Sequence, residues 1–125
     1  MSVTNEETGR LVRKIWWSSL DEIGNLDLQR RTWLDPNNKN PHWSYVEFVC
    51  SYPDTDELEA GQKKGWLSPA EATILIEFGK TLAAHKSPAG NDYDNAAILD
   101  DPAWHDVVRS AQQALQKLTK LPRHR

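Results

Sequence analysis

Three stretches of this chain place apolar side chains three and four residues apart, each behind its own start signal. That period commits most of the length to α-helix. Leu11, Val12, Ile15, Trp16, Leu20 and Ile23 make the first stripe, behind Thr4 or Asn5 as cap and with Glu6 and Glu7 in the first turn. Negative charge suits the positive end of the helix dipole, so a helix is predicted over 6–23. Ser68-Pro69-Ala70-Glu71 is the cleanest start: a serine cap, proline at the first helical position, and glutamate three residues after the cap to complete a capping box. The helix it opens is predicted to bury Ala72, Leu75, Ile76, Leu82 and Ala83 and to run to about His85. Asp101-Pro102 opens the last one, with Trp104, Val107, Val108, Ala111, Ala114, Leu115 and Leu118 as its stripe and Pro122 as its stop.

Shorter elements fill the gaps. A helix over Asp27–Leu34 ends at Asp35-Pro36, because the residue before proline is pushed out of the α region. Residues 36–41, PNNKNP, read as a loop. Residues 57–64 read as an imperfect helix stopped near Gly65, and Asn95–Leu99 as a single helical turn after the turn formers SPAGND. Residues 42–52 fit two periods: Val46, Phe48, Cys50 and Tyr52 alternate as in a strand, whereas Trp43, Val46, Val49 and Cys50 make a helical stripe. Helix is favoured, since a lone strand has nothing evident to pair with. The expected fold is all-α, an irregular bundle of four principal helices plus short ones. The 125 residues make one domain's worth of chain, with an ordered core over about 6–118 and a mobile basic tail over 119–125. Only 38% of the residues are hydrophobic, and the six Trp compensate, each able to bury roughly 150–250 Å².

Net charge of −3 conceals a strong asymmetry. Residues 1–40 balance six acids with six bases; residues 41–108 hold twelve acids against four bases; residues 109–125 hold five bases and no acid. Between Ser87 and Val108 there are five Asp and neither Lys nor Arg. That sign opposes phosphate binding, so no nucleic-acid partner is expected. Residues 1–10 are polar and no run of 18 apolar residues occurs, so neither a secretory signal nor a membrane span is expected. A single cysteine, Cys50, makes no internal disulfide and agrees with a cytoplasmic location.

Catalytic and metal motifs fail on inspection. A calcium loop beginning at Asp92 has Asp94 in place, yet its sixth position, which needs Gly, is Ala97, and its twelfth, which needs Glu, is Ala103. His42, His85, His105 and His124 form no pair on one helix face, and a zinc site has little support. His85 falls in the last turn of its helix, where the dipole favours a cation. Cys50, beside Phe48 and Val49, reads as a buried inert thiol. Asp101 reads as a helix cap, and Asp92 and Asp94 as turn residues or surface acids. No catalytic residue, metal ligand or cofactor is therefore assigned. A small metal-dependent hydrolase built on Asn91–Asp101 with His85 or His105, or a structural or interaction domain of another kind, is the alternative.

Among the aromatics, Trp16 and Trp17 lie about 100° apart on the first helix, which puts Trp16 in the core and Trp17 at its edge. Trp33, Trp43 and Tyr45 flank the PNNKNP loop. The runs WWSSLDEI (16–23), RRTWLDPNNKNPHWSYVEF (30–48), GWLSPAEA (65–72) and KSPAGNDYDNAAILDDPAW (86–104) resemble small cytosolic bacterial proteins, of the immunity kind found beside polymorphic and contact-dependent toxins. That resemblance implies a protein that neutralises a cognate toxin by direct contact, and none of its markers is a catalytic motif. No functional residue is carried over from it; the acidic middle segment, the lack of a catalytic set and the surplus of aromatics nominate Asp92, Asp94, Asp100, Asp101 and Asp106 as contact residues, with Trp17, Tyr93 and Tyr45 as aromatic anchors for a basic toxin domain.

Overall fold

A computed structural model describes residues 4–121. Its elements, in chain order, are α1 (Asn5–Ile23), α2 (Leu26–Trp33), α3 (Tyr45–Ser51), α4 (Thr55–Lys63), α5 (Pro69–Ala84), a single 3-10 turn at Pro88–Gly90, α6 (Asn95–Leu99) and α7 (Pro102–Thr119). All regular structure among the described residues is helical, as the periodicity requires. The ambiguous segment is α3. The 3-10 turn is bent by Ala89, a non-glycine residue at φ 55°, followed by Gly90 at φ 68°. The last residues of the basic tail, 122–125, lie outside the described residues, and α7 already takes in Thr119.

Caps fix where these helices start. Thr4 accepts the Glu7 N–H, Ser44 the Glu47 N–H, and Asp94 the Ala97 N–H. Ser68 and Glu71 form the reciprocal capping box that their spacing announces. Asp54 and Glu57 form a second one, so α4 begins at Thr55, earlier than the expected 57.

The core lies where α5 and α7 pack together, with α4 against α5 and with α1 against α7 and α3. Leu20, Ile23, Leu75, Ile98, Trp104 and Ala111 are fully enclosed there. Trp33 sits at the centre of an aromatic cluster, with ring centroids 5.1 Å from Phe48, 6.0 Å from Trp104 and 6.3 Å from Tyr45. Helix α4 reaches α1 through Gly61: a Cβ there would come within 2.8 Å of the Trp16 ring, so only glycine allows the approach. Buried Gln29 joins three helices. Its Nε2 donates to the carbonyls of Glu22 and Ile23, both at 2.9 Å, and its Oε1 accepts the Trp104 indole N–H at 2.9 Å. The orphan carbonyls ending α1 are thereby satisfied from α2, which is in turn tied to α7.

Three expectations about faces need correction; on α5, Ala83 is exposed rather than buried, and Phe78 takes the inward place. Leu11 and Ile15 belong to the apolar pattern of α1 yet are 60% and 61% exposed. The inward face of α1 is Gly9, Trp16, Leu20 and Ile23, and at about 100° per residue Leu11 and Ile15 are turned away from it. Cys50 is exposed rather than buried. Helix α3 turns Tyr45 and Phe48 inward, and Cys50, two residues beyond Phe48, falls about 200° round the helix from it.

Tyr52, which follows α3, is buried and donates its hydroxyl to the Leu75 carbonyl at 2.6 Å. Burial raises its pKa from the ordinary 10.0. The unfolded chain then loses this proton at lower pH than the folded one, so stability holds below pH about 10 and falls above it. Urea titrations at pH 8 and at pH 11 should give a drop for the wild type that Tyr52→Phe reduces. An equal drop in both proteins refutes the assignment.

Candidate protein-binding surface

The segment between α5 and α7 carries the acids that the sequence singles out, and it is built from local turn and cap chemistry. Asn91 Oδ1 accepts the Tyr93 N–H at 3.0 Å, and Asp94 Oδ1 accepts the Ala97 N–H at 3.1 Å, starting α6. Ser87, buried at the start of the segment, donates its hydroxyl to Asp92. With the backbone so held, Tyr93 projects outward and is 82% exposed. Asp92, Asp94 and Asp100 are exposed in the same segment, and Asp106 is exposed on the first turns of α7. Asp106 is partly neutralised by an ion pair with Arg109. Such surface pairs contribute little to stability.

Asp101 has a different position. It caps α7 by accepting the Ala103 N–H at 3.0 Å, and its Oδ2 lies 3.1 Å from His85 Nε2. His85 Nδ1 is 2.9 Å from the Tyr45 hydroxyl. These partners set the tautomer: Nε2 carries the proton and donates to the carboxylate, while Nδ1 accepts from Tyr45. The His85 side chain is 1% exposed and is walled by the rings of Tyr45 and Trp104, at 5.6 and 5.3 Å. Tyr45 also donates its backbone N–H to Asn95 Oδ1 at 3.1 Å. Its pKa is raised above 10.0, first by burial and then by the carboxylates of Asp92 and Asp101. A histidine between a carboxylate and a hydroxyl has the order of groups that activates a nucleophile. Here the hydroxyl is enclosed, and the bonds of Tyr45 and His85 together fasten α3, the end of α5, α6 and the start of α7 to one another.

The nominated residues therefore divide. Asp92, Tyr93, Asp94, Asp100 and Asp106 reach the surface. Tyr45 does not: it is 6% exposed and is an internal member of the His85 cluster, so it cannot anchor a partner. His85, at the C-cap of α5 as its position in the sequence suggests, is an enclosed bridge between Tyr45 and Asp101. Trp17 is half-buried in another neighbourhood, sharing a groove with Arg10, Arg13 and Lys14, with the Arg13 guanidinium 4.4 Å above its ring. It is thus set among bases rather than among the aspartates. Among the described residues no three His, Cys, Asp or Glu side chains converge as a metal ion would need, and no helix is long and apolar enough to cross a membrane.

Two networks escaped the sequence reading. Arg13 on α1 forms a bidentate ion pair with Glu71 on α5, at 2.7 and 3.0 Å, and Gln29 bonds Trp104. Their only sequence signal is a polar residue on an otherwise inward face. The chain is thus an all-α domain presenting a rigidly held acidic segment with one projecting tyrosine. Comparison with protein-family models, curated proteins and solved structures finds no match.

Proposed function

We propose that this chain is a binding protein of the immunity kind, which neutralises a basic partner, a toxin domain, by covering it with the Asp92–Asp106 surface. The observation that carries the reading is Tyr93, 82% exposed and flanked by the exposed Asp92 and Asp94 in a stretch without Lys or Arg. An aromatic ring with a hydroxyl tip suits the centre of an interface, and uniform negative charge around it speeds encounter with a basic surface while rejecting acidic ones. The capping and hydrogen bonds that hold the segment reduce the ordering cost of association. The sequence resemblance to immunity proteins supports the same reading.

Co-expression with the product of the neighbouring gene tests it. That product is expected to be toxic alone, harmless with this protein, and to elute with it as one complex in gel filtration. Tyr93→Ala should weaken the complex by about tenfold or more. Asp92→Asn with Asp94→Asn should slow association and lessen its sensitivity to salt. A neighbour that is harmless alone, or a mixture that elutes as two separate species, refutes the proposal.

A further inference from the structure

We propose that two copies of this chain pair through the outward face of α1, antiparallel and about a two-fold axis, with Leu11 of each copy seated in the α1–α3 groove of the other. Helix α1 carries two stripes. Trp16, Leu20 and Ile23 face the core, while Leu11, Ile15, Ser18 and Glu22 recur at spacings of four, three and four on a second face, the interval of a helix-pairing seam. Leu11 and Ile15, at 60% and 61% exposed, are two of the four large apolar side chains left in solvent among the described residues.

Beside that stripe is a groove lined by Lys14, Ile15, Ser18, Ser19, Glu22, His42 and Ser51. Two of these lining residues, His42 and Glu22, pair with each other, Nε2 to Oε1 at 3.0 Å. Ser19 on its wall is 3% exposed, and its hydroxyl has no hydrogen-bond partner. Leu11 does not line this groove; it projects from the same side of α1 about three turns away from Glu22. A knob and a hole separated along one helix face are matched by an antiparallel two-fold, which brings each Leu11 over the partner's Ser18–Glu22 end and sets Ile15 against Ser18.

Charge selects a second copy over another occupant. Flanking the seam are Lys14 and, two turns on, Asp21, and among the described residues neither has an ion-pair partner within the chain, whereas Arg10 and Arg13 are paired with Glu6 and Glu71. Antiparallel pairing sets Lys14 of one copy beside Asp21 of the other, twice, whereas a parallel arrangement sets like beside like. An isologous interface requires this self-complementarity. None of these residues belongs to the Asp92–Asp106 segment, so the inference stands apart from the toxin-neutralising reading.

Sedimentation equilibrium across a concentration series tests it on the full chain alone. The apparent mass should rise from the 14.3 kDa of one chain towards twice that value. Leu11→Glu, at an exposed position, should keep the wild-type circular dichroism, match the wild-type melting temperature at concentrations where both are single chains, and weaken pairing by about tenfold or more. Lys14→Glu should weaken it likewise, and Lys14→Glu with Asp21→Lys should restore it. A mass of one chain at every concentration overturns the proposal, as does a Leu11→Glu variant that pairs like the wild type or a charge reversal that fails to rescue.

Discussion

Arg13→Met is expected to destabilise the fold by about 3 kcal/mol, towards the low end of the range for breaking a buried ion pair, because the Arg13 side chain is 26% exposed. The guanidinium serves three partners at once. It grips both Glu71 oxygens, donates to the Trp66 carbonyl at 3.0 Å, and lies over the Trp17 ring. Glu71 is the more enclosed partner, its side chain 7% exposed, and its Oε1 also accepts the Ser68 N–H at 2.9 Å. Methionine keeps the stem's packing but leaves that carboxylate facing the interior without its counter-charge. Arg13→Lys should recover part of the loss, since an ammonium supplies charge without the two parallel bonds. Glu71→Gln should lose less than Arg13→Met, because the amide oxygen still caps α5 and the guanidinium left without its carboxylate is 26% exposed and keeps the Trp66 carbonyl as a partner. Urea denaturation with an unchanged slope is the measurement. A loss under about 1 kcal/mol for Arg13→Met would show that the pair is screened as surface pairs are.

The Arg13–Glu71 pair also marks the boundary of what the sequence discloses. Glu71 as the third residue after a serine cap is a local pattern, and the helix starts where that pattern says. The residue that pairs with it is 58 positions away, and no spacing rule reaches that far. Helix α1 shows the same limit within one element. Leu11 and Ile15 satisfy helical spacing as well as Trp16 and Leu20 do, so periodicity alone assigns all four to the core; only the placement of α3 and α7 decides which stripe is covered. Cys50 was misassigned for a related reason, since the seven residues of α3 are too few for a stripe to declare its direction. At the candidate surface the acids, the turn formers around Asn91 and the cap at Asp101 are legible, each being made within a few residues, whereas Asp94 reads as a turn residue or surface acid and is in fact the cap of α6. Tyr45 is not legible either. Its partner His85 is 40 residues on, and an aromatic beside a polar loop looks the same in sequence whether it faces solvent or a buried imidazole.

His85→Leu is expected to cost about 2–4 kcal/mol, the sum of two stranded groups. Leucine matches the imidazole roughly in volume, so the ring contacts with Trp104 are partly replaced, but the Tyr45 hydroxyl loses its acceptor and the Asp101 carboxylate, 17% exposed, loses a donor. Tyr45→Phe in the wild type should cost about 1–2 kcal/mol by leaving Nδ1 unpaired. In the His85→Leu background the same change should recover part of the loss, because it removes the buried hydroxyl that the first substitution left without a partner. A double-mutant cycle in urea therefore gives a coupling energy whose sign is fixed in advance, and additive losses would refute the shared network. Asp101→Asn should be mild, since the side-chain oxygen still caps α7. The cluster holds the segment that carries Tyr93 at two points, Asn95 and Asp101. Hydrogen exchange in His85→Leu should therefore quicken first at Ala97 and Ala103, whose N–H groups are held by Asp94 and Asp101, before the α5–α7 core responds. Uniform quickening across all helices would mean that His85 supports the whole fold equally and holds no special grip on the acidic surface.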